Sequence, residues 1–246
     1  MKIGIDVGGT HTDAVVLSGS EILATHKALT SADVKEGIVN ALDAVMSGAS
    51  LKPSDVTAVI IGTTHFTNAV IERKHLSPTA IIRACLPTGT GIPPQCDWPA
   101  DIANSLGNHV YSIKGGHTFS GDEIHALDDV EIRSVIKDVA QKGIESIAVA
   151  AAFSPMNPAH EVYLANKIRA EIPNANITLS HEIGRLGILE RENAALLNAA
   201  LGSLADAVVS SMKQALIERK IDCPFYVSQN DGTLMAADYI AKYPAL

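Results

Sequence analysis

The sequence predicts an α/β protein: a mixed sheet, made of an antiparallel meander followed by parallel strands, with helices on both faces and an inserted α/β subdomain. Three observations predict it. Short apolar runs separated by turn residues open the chain, giving three strands before any helix. A wholly apolar run, "VTAVIIG" at 56–62, comes after the first helix, as expected of a strand covered on both faces. From residue 129 onward helical and strand patterns alternate, the order that builds parallel βαβ units.

Each element has its own signal. Residues 2–7 (KIGIDV) and 14–17 (AVVL) are apolar enough for strands, and a third is expected at 22–26, after the turn residues Ser18, Gly19 and Ser20. In the first helix Asp33 supplies a cap, with Glu36 three residues on as in a capping box. Val34, Ile38, Ala41, Leu42, Val45 and Met46 share one face, and Gly48 suits the stop. After the strand at 56–62 come a short helix at 65–73 and a strand at 79–84. Between Cys85 and Gly121 four prolines and six glycines interrupt any period, so a long irregular excursion is expected. Order returns with a helix at 129–142, a buried strand at 146–153, a helix at 158–171 and a strand at 176–180. The longest helical signal runs over 186–219, where Leu197, Leu201, Leu204, Val208 and Met212 keep one stripe among small alanines. A strand at 224–228, a turn at 229–233 and a helix at 234–242 complete the pattern. The expected division is 1–84, a core carrying the first loop; 85–182, the inserted subdomain; and 183–246, a long helix and a strand–turn–helix returning to the core.

Composition narrows the function classes. With 47% hydrophobic residues, 246 residues can bury a substantial core. A net charge of -8 without a Lys/Arg cluster argues against nucleic acid. No apolar run reaches the roughly 18 residues of a membrane span, and the first residues enter a strand pattern rather than a signal peptide. Cys85, Cys96 and Cys223 are scattered and form no CxxC, which suits free thiols in a reducing cytoplasm.

The chemistry concentrates in "KIGIDVGGTHTD" (2–13). Gly8 and Gly9 free the backbone for a sharp turn or a close approach to a ligand, and consecutive N–H groups there form a concave anion site. Thr10 and Thr12 add hydroxyls around His11. Asp6, at the strand's end, can hold Mg²⁺ directly or through water, and Asp13 is a second acid. The natural ligand of this set is a nucleotide polyphosphate with its metal. The segment is neither a GxxxxGK[ST] loop nor a GxGxxG that opens a helix. A strand comes directly after it, so it forms a hairpin.

This loop in this setting resembles the actin, sugar-kinase and chaperone superfamily of ATP-binding proteins, and within it the hydantoinase/oxoprolinase family. The resemblance rests on "GIDVGGTHTD" (4–13), "GTTHFTNAVIERK" (62–74), "AVAAAFSPMNPAHE" (148–161), "LSHEIG" (179–184), "LERENAALLNAAL" (189–201) and "SQNDGTLM" (228–235), in the family's order. It implies a ribonuclease-H-like sheet whose first two strands are joined by a phosphate loop. It also implies ATP-dependent hydrolysis of a cyclic amide such as a hydantoin or 5-oxoproline, with ATP and Mg²⁺. Gly8, Gly9, Thr10, His11 and Thr12 then face the nucleotide, and Asp6 and Asp13 are catalytic, Asp6 also holding the metal. Thr63, Thr64, Asn68, Glu190, Arg191, Asp231 and Gly232 contact substrate or phosphate. His11 stands where the family usually has Phe, Glu192 where threonine is common, and Thr233 where a glycine is common, departures that bear on substrate choice. No second DxGGT string occurs, so the chain is expected to be the N-terminal piece of a longer protein. A C-terminal ATPase domain and a companion hydrolase subunit are its expected partners, and the isolated piece is expected to bind nucleotide weakly. A small-molecule kinase and a non-enzymatic ATP-switched activator or chaperone are the alternatives.

Other candidates have plainer readings. Thr64 can cap a helix with Asn68 on its polar face. His65, His160 and His181 lack the HxH or HxxxH spacing of a metal site. In "NPAHE", Asn157 caps a helix whose first residue is Pro158. Ser180 and His181, read as strand neighbours, point to opposite faces and form no relay. Asn198 lies with Glu190 and Arg191 on the long helix. Cys85 and Cys96 have no base signature nearby.

Overall fold

The computed structural model describes residues 1–30, 34–229 and 231–246. In chain order the strands and helices are β1 (Lys2–Val7), β2 (His11–Ser18), β3 (Glu21–Leu29), α1 (Val34–Gly48), β4 (Ala58–Thr63), α2 (His65–Glu72), β5 (Thr79–Leu86), α3 (Ala100–Ser105), β6 (His109–Lys114), α4 (Asp129–Gln141), β7 (Ser146–Ala151), α5 (Ala159–Glu171), β8 (Asn176–Leu179), α6 (Ser180–Ile183), α7 (Ile188–Glu218), β9 (Phe225–Ser228), β10 (Leu234–Ala236) and α8 (Ala237–Lys242). The chain divides into two units: 1–71 with 203–244 and Leu246, and 72–202 with Ala245.

The first unit holds a six-stranded sheet in the order β10-β9-β4-β1-β2-β3. β1, β2 and β3 form the expected antiparallel meander, and β1, β4 and β9 run parallel. Strand alternation puts Ile3, Ile5, Val7, Val16, Val59, Ile61 and Val227 on one face, where they pack with Ile38, Leu42 and Val45 of α1 and Val209, Met212 and Leu216 of α7. The opposite face carries Gly4, Asp6, Asp13, Lys27, Ile60 and Gly62, which line a cavity. Ile60 is accordingly only half-buried. The expected cap Asp33 lies outside the described residues, as does Asn230 in the turn after β9.

The second unit holds a four-stranded parallel sheet in the order β6-β5-β7-β8. Here helices cover both faces. Ile82, Ile147 and Val149 meet Ile132, Ile136, Leu164 and Ile168 on one side. Ile81, Ala148 and Ala150 meet Leu196, Ala199 and Ala200 on the other. This explains why "TAIIRACL" is buried from Thr79 through Cys85.

Several expectations are corrected. The boundary expected after residue 84 falls after Ile71, because β5 pairs with β6 and β7 and with no strand of the first sheet. The excursion expected from Cys85 to Gly121 contains α3 and β6. β6 is an edge strand in which only Ile113 is fully buried, so its apolar signal is weak. Residues 234–236 are a strand rather than the start of the last helix. In α7 Leu201 and Met212 of the expected stripe are buried, together with Leu196, Ala200, Ala205, Val209 and Leu216, while Leu197, Leu204 and Val208 are half-buried. Buried alanines such as Ala195, Ala199 and Ala200 stand among these larger side chains and allow close packing. By length and composition α7 could cross a membrane, against the reading that no such run exists; 61% of its apolar window is buried, as in a core helix.

Candidate functional site

The β1–β2 hairpin places its acids by register. Asp6 pairs with Asp13 across the antiparallel ladder, and with Gly62 across the parallel one. Asp13 pairs in turn with Lys27 on β3. Period-2 alternation therefore sets Gly62, Asp6, Asp13 and Lys27 in one row on the face away from the core, beside Ser228 of β9. They line a cavity of about 640 Å³. Lys27 Nζ lies 3.2 Å from Asp13 Oδ1. Asp6 is exposed and has no ionic or hydrogen-bond partner among the described residues. Asp6 stands opposite Asp13 on the ladder, with Lys27 against Asp13, and these two acids are the residues of the row that could hold a cation. Two carboxylates with room for water and phosphate oxygens are the donor set Mg²⁺ accepts. A Cβ on Gly62 would come within 2.9 Å of Asp6 Oδ1 and 3.3 Å of Ser228 Oγ, so the missing side chain gives Asp6 its position.

The loop above the row is fixed from its carbonyl side. Gly8 N–H donates to His11 O at 3.0 Å and closes the turn. Thr30 Oγ1 donates to Gly8 O at 2.8 Å, and Thr30 N–H to Thr10 O at 2.9 Å. Among the described residues the N–H groups of Gly9 and Thr10 have no partner. Both residues are exposed, and a Cβ on Gly9 would meet nothing within 4 Å. Unused N–H groups on an open loop are what an anion nest requires. Thr12 serves differently from expectation. It is 1% exposed, and its hydroxyl lies 3.2 Å from Thr30 Oγ1, so it supports the loop from beneath. The exposed His11 holds Thr10 Oγ1 at 3.1 Å through Nδ1.

Because β1, β4 and β9 run parallel, the segments beyond their ends emerge at one edge. Thr63 lies beside Val7. Its Oγ1 accepts from the His65 N–H at 3.2 Å and sits 2.6 Å from His65 Nδ1, fixing the start of α2. Asn68 Nδ2 donates to Thr64 Oγ1 at 3.2 Å. After β9, Gly232 has φ +83°, the left-handed conformation expected of the turn glycine. Asp231 Oδ1 accepts from the Thr233 hydroxyl at 2.7 Å and the Thr233 N–H at 2.9 Å, and these bonds hold its carboxyl below the usual range.

Residues 2–172 match the family described as the hydantoinase/oxoprolinase N-terminal region. The chain belongs to this family. Its relatives include the caprolactamase subunit alpha of Pseudomonas jessenii, 23% identical over 95% of this chain and 36% of that one. The 5-oxoprolinase of Saccharomyces cerevisiae is 26% identical over 96% of this chain and 22% of that one. The crystal structure of the ATP-dependent caprolactamase superposes with a TM-score of 0.80 at 20% identity, over 96% of this chain and 36% of that one. A nucleotide-free acetone carboxylase structure gives 0.79 at 17% identity, over 98% and 38%. The chain thus spans little more than a third of these proteins at most, and both structures share its fold.

Two residues of the oxoprolinase-like pattern, Glu190 and Arg191, belong to the second unit and not to the loop's unit. Glu190 is exposed, whereas Arg191 is 1% exposed. Arg191 Nε donates to Ser180 Oγ at 2.8 Å, Nη1 to Arg185 O and Leu186 O, and Nη2 to Ala151 O at 2.5 Å. Four of its five N–H donors thus brace the chain around it. The reading of Ser180 and His181 as strand neighbours is also corrected. They begin α6, and both turn to Glu161, with Ser180 Oγ at 2.5 Å from Oε1 and His181 Nδ1 at 2.6 Å from Oε2. Burial alone would raise the Glu161 carboxyl; hydrogen bonds from His181, Ser154 and Ser180 outweigh it and hold it below the usual range. The expected cap is corrected as well: Pro158 itself holds the cap position of α5, which starts at Ala159, and Asn157, one residue before it, accepts the Ala159 N–H on Oδ1 at 3.1 Å. Asn198 Nδ2 donates to Thr178 Oγ1 at 2.9 Å. Sequence reasoning missed Lys27, Thr30, Gly62 and Ser228. Of these only Gly62 carries a signal, a glycine ending an apolar strand, which marks a close approach.

Proposed function

We propose that this chain is the phosphate-gripping part of an ATP-dependent enzyme that opens a cyclic amide of the hydantoin or 5-oxoproline class. The observation that carries the reading is the meeting, at one edge of the first sheet, of two N–H groups (Gly9 and Thr10) that are unused among the described residues with the Asp6–Asp13 pair. The names of the caprolactamase and the 5-oxoprolinase point to lactams as the substrate class. Since the chain spans a minor part of either, the activity is proposed for an assembly with a second ATPase domain and a companion hydrolase subunit. The three cysteines are free, which suits the cytoplasm as its setting.

A lactam carbonyl is a poor electrophile; transfer of a phosphoryl group from ATP to its oxygen, with release of ADP, activates the carbon. Water adds there, the ring nitrogen leaves as the amine when the C–N bond breaks, and a second water hydrolyses the resulting acyl phosphate to carboxylate and phosphate. The Gly9 and Thr10 N–H groups hold phosphate oxygens without reorganising, since Thr30 already fixes the loop's carbonyls. Asp6 and Asp13 hold Mg²⁺, with Lys27 balancing Asp13. Thr63, Thr64, Asn68, Asp231 and Gly232 border the same edge and orient phosphate or substrate.

The test is the Asp6→Asn variant of the whole enzyme, assayed with a panel of cyclic amides. Lactam-dependent ADP release is expected to fall by about a hundredfold or more, the scale of losing a charge-stabilising group. ADP release at the wild-type rate would end the reading, and a stable phosphorylated product would make the protein a kinase.

A further inference from the structure

In the second unit, the segment between β6 and α4 is fastened across the ends of β5 and β7. Gly115 N–H donates to Leu86 O at 3.3 Å, and His117 N–H to Ala152 O at 3.0 Å. A Cβ on Gly116 would stand 2.7 Å from Ala152 Cβ, so the backbones approach closely. The segment then turns back on itself. His117 and Glu123 form an antiparallel bridge, and Ile124 N–H donates to Gly116 O at 2.9 Å. Within the turn Phe119 meets Phe153 edge-on, with ring centroids 6.2 Å apart. Ala152 and Phe153 both line a cavity of about 250 Å³. The segment is therefore a strap lying against two residues of that cavity's wall.

Two histidines hold the strap, and its bonds fix their protonation. His160, on α5, accepts the Gly116 N–H on Nδ1 at 2.9 Å. An accepting Nδ1 carries no hydrogen, so Nε2–H donates to Glu123 Oε1 at 2.9 Å and the ring is neutral. A proton on Nδ1 would break the bond to Gly116. His117 is 3% exposed, and its ring centroid lies 4.3 Å from that of His160. Its Nδ1 is buried with no hydrogen-bond partner among the described residues. A charge there would sit unsolvated beside a second imidazole. Burial, and then His160, hold the His117 ring below its usual range, against the pull of Glu123. The other groups packed around it are not charged toward it. Ala84 after Arg83 on β5 and Ala152 after β7 face Gly116, Leu127 faces Gly115, and Glu161 on α5 turns its carboxylate to Ser180 and His181.

We propose that this strap is an acid-released latch, which lies closed only while His117 and His160 are both neutral and lifts Phe119 off Phe153 as they take up protons. Both rings belong to the second unit, so the latch stands apart from the nucleotide reading of the β1–β2 loop. The sign follows from linkage. His117 binds a proton more readily lifted than closed, so opening becomes easier as pH falls below 6.5 and until its lower closed value is reached. Each proton taken up raises the opening constant by up to about tenfold per pH unit.

The test is amide hydrogen exchange of the 246-residue chain, read by NMR from about pH 8 down to about pH 5. The ratio of observed to intrinsic exchange rate at Gly116, His117 and Ile124 gives the opening constant. It is expected to rise by about tenfold or more over that range as pH falls. His117→Phe keeps a ring against His160 but has no nitrogen to protonate. His160→Asn keeps an acceptor, Oδ1, for the Gly116 N–H and gains no proton. The double variant is expected to open with a constant that changes by less than about twofold. An opening constant that is independent of pH in the wild type, or as steep in the folded double variant as in the wild type, would overturn the proposal. If the double variant does not fold, the single variants decide: a shallower rise in either supports the latch, and wild-type steepness in both overturns it.

Discussion

Gly62 shows how far a single residue can control a site from a neighbouring strand. Its missing Cβ is the space that Asp6 Oδ1 occupies, 2.9 Å from where that carbon would stand. We expect Gly62→Ala to leave the fold intact, because the new methyl faces the cavity side of the sheet, but to push Asp6 out of line with Asp13. Displacing a group by about an ångström costs on the order of a hundredfold in rate. ATP turnover of the whole enzyme should therefore fall by about that factor while the far-UV circular dichroism stays unchanged; turnover within about twofold of wild type would show that Asp6 needs no such room. Asp6, Asp13, Gly8 and Gly9 were legible in the sequence because they are contiguous and chemically unusual. Gly62 and Lys27 were not, since their relevance comes from ladder register with residues far away in the chain.

At the scale of elements, the end of β3 anchors the β1–β2 loop through Thr30, which bonds the carbonyls of Gly8 and Thr10 and contacts Thr12 Oγ1. Thr30→Val keeps the shape and the backbone bond but removes the hydroxyl. We expect a stability loss of about 1 kcal/mol, the net worth of a hydrogen bond, and a rise in the KM for ATP of about five- to tenfold, since a loosened loop must be ordered on binding. An unchanged KM would mean the loop is held by its turn alone. Elements with a strong period were readable in advance: β1, α1, α4 and α7 lie within a few residues of their expected limits. Those with weak or borrowed signals were not. β6 is an edge strand, β10 has three residues, and α6 breaks off a strand pattern because Ser180 and His181 are drawn to Glu161 on α5. That pull is tertiary, and no local propensity announces it.

For the whole molecule, two buried glutamates set opposite pH dependences. Glu161 is held below its usual pKa, so it binds fewer protons folded than unfolded; its stabilisation is present above about 4.5 and is lost as pH falls through the lower folded value. Glu192 is pushed from 4.5 up to about 7, chiefly by burial, with Arg83 and Arg191 opposing and Asp97 adding to the rise. It binds more protons folded than unfolded across that window, so its contribution falls as pH climbs from 4.5 to about 7 and is flat beyond. The fall amounts to at most about 3 kcal/mol. Glu192→Gln should erase this limb, so that the stability of wild type relative to the variant declines between those pH values. The variant leaves Arg83 buried without its counterion, at a cost of about 3–5 kcal/mol. Arg83→Met combined with Glu192→Leu removes both charges and should restore stability while keeping the limb absent. Urea unfolding of the three proteins across pH 4.5 to about 7 reads the slopes directly. Parallel profiles would mean that Glu192 stays ionised throughout, held by Arg83 more strongly than burial opposes it.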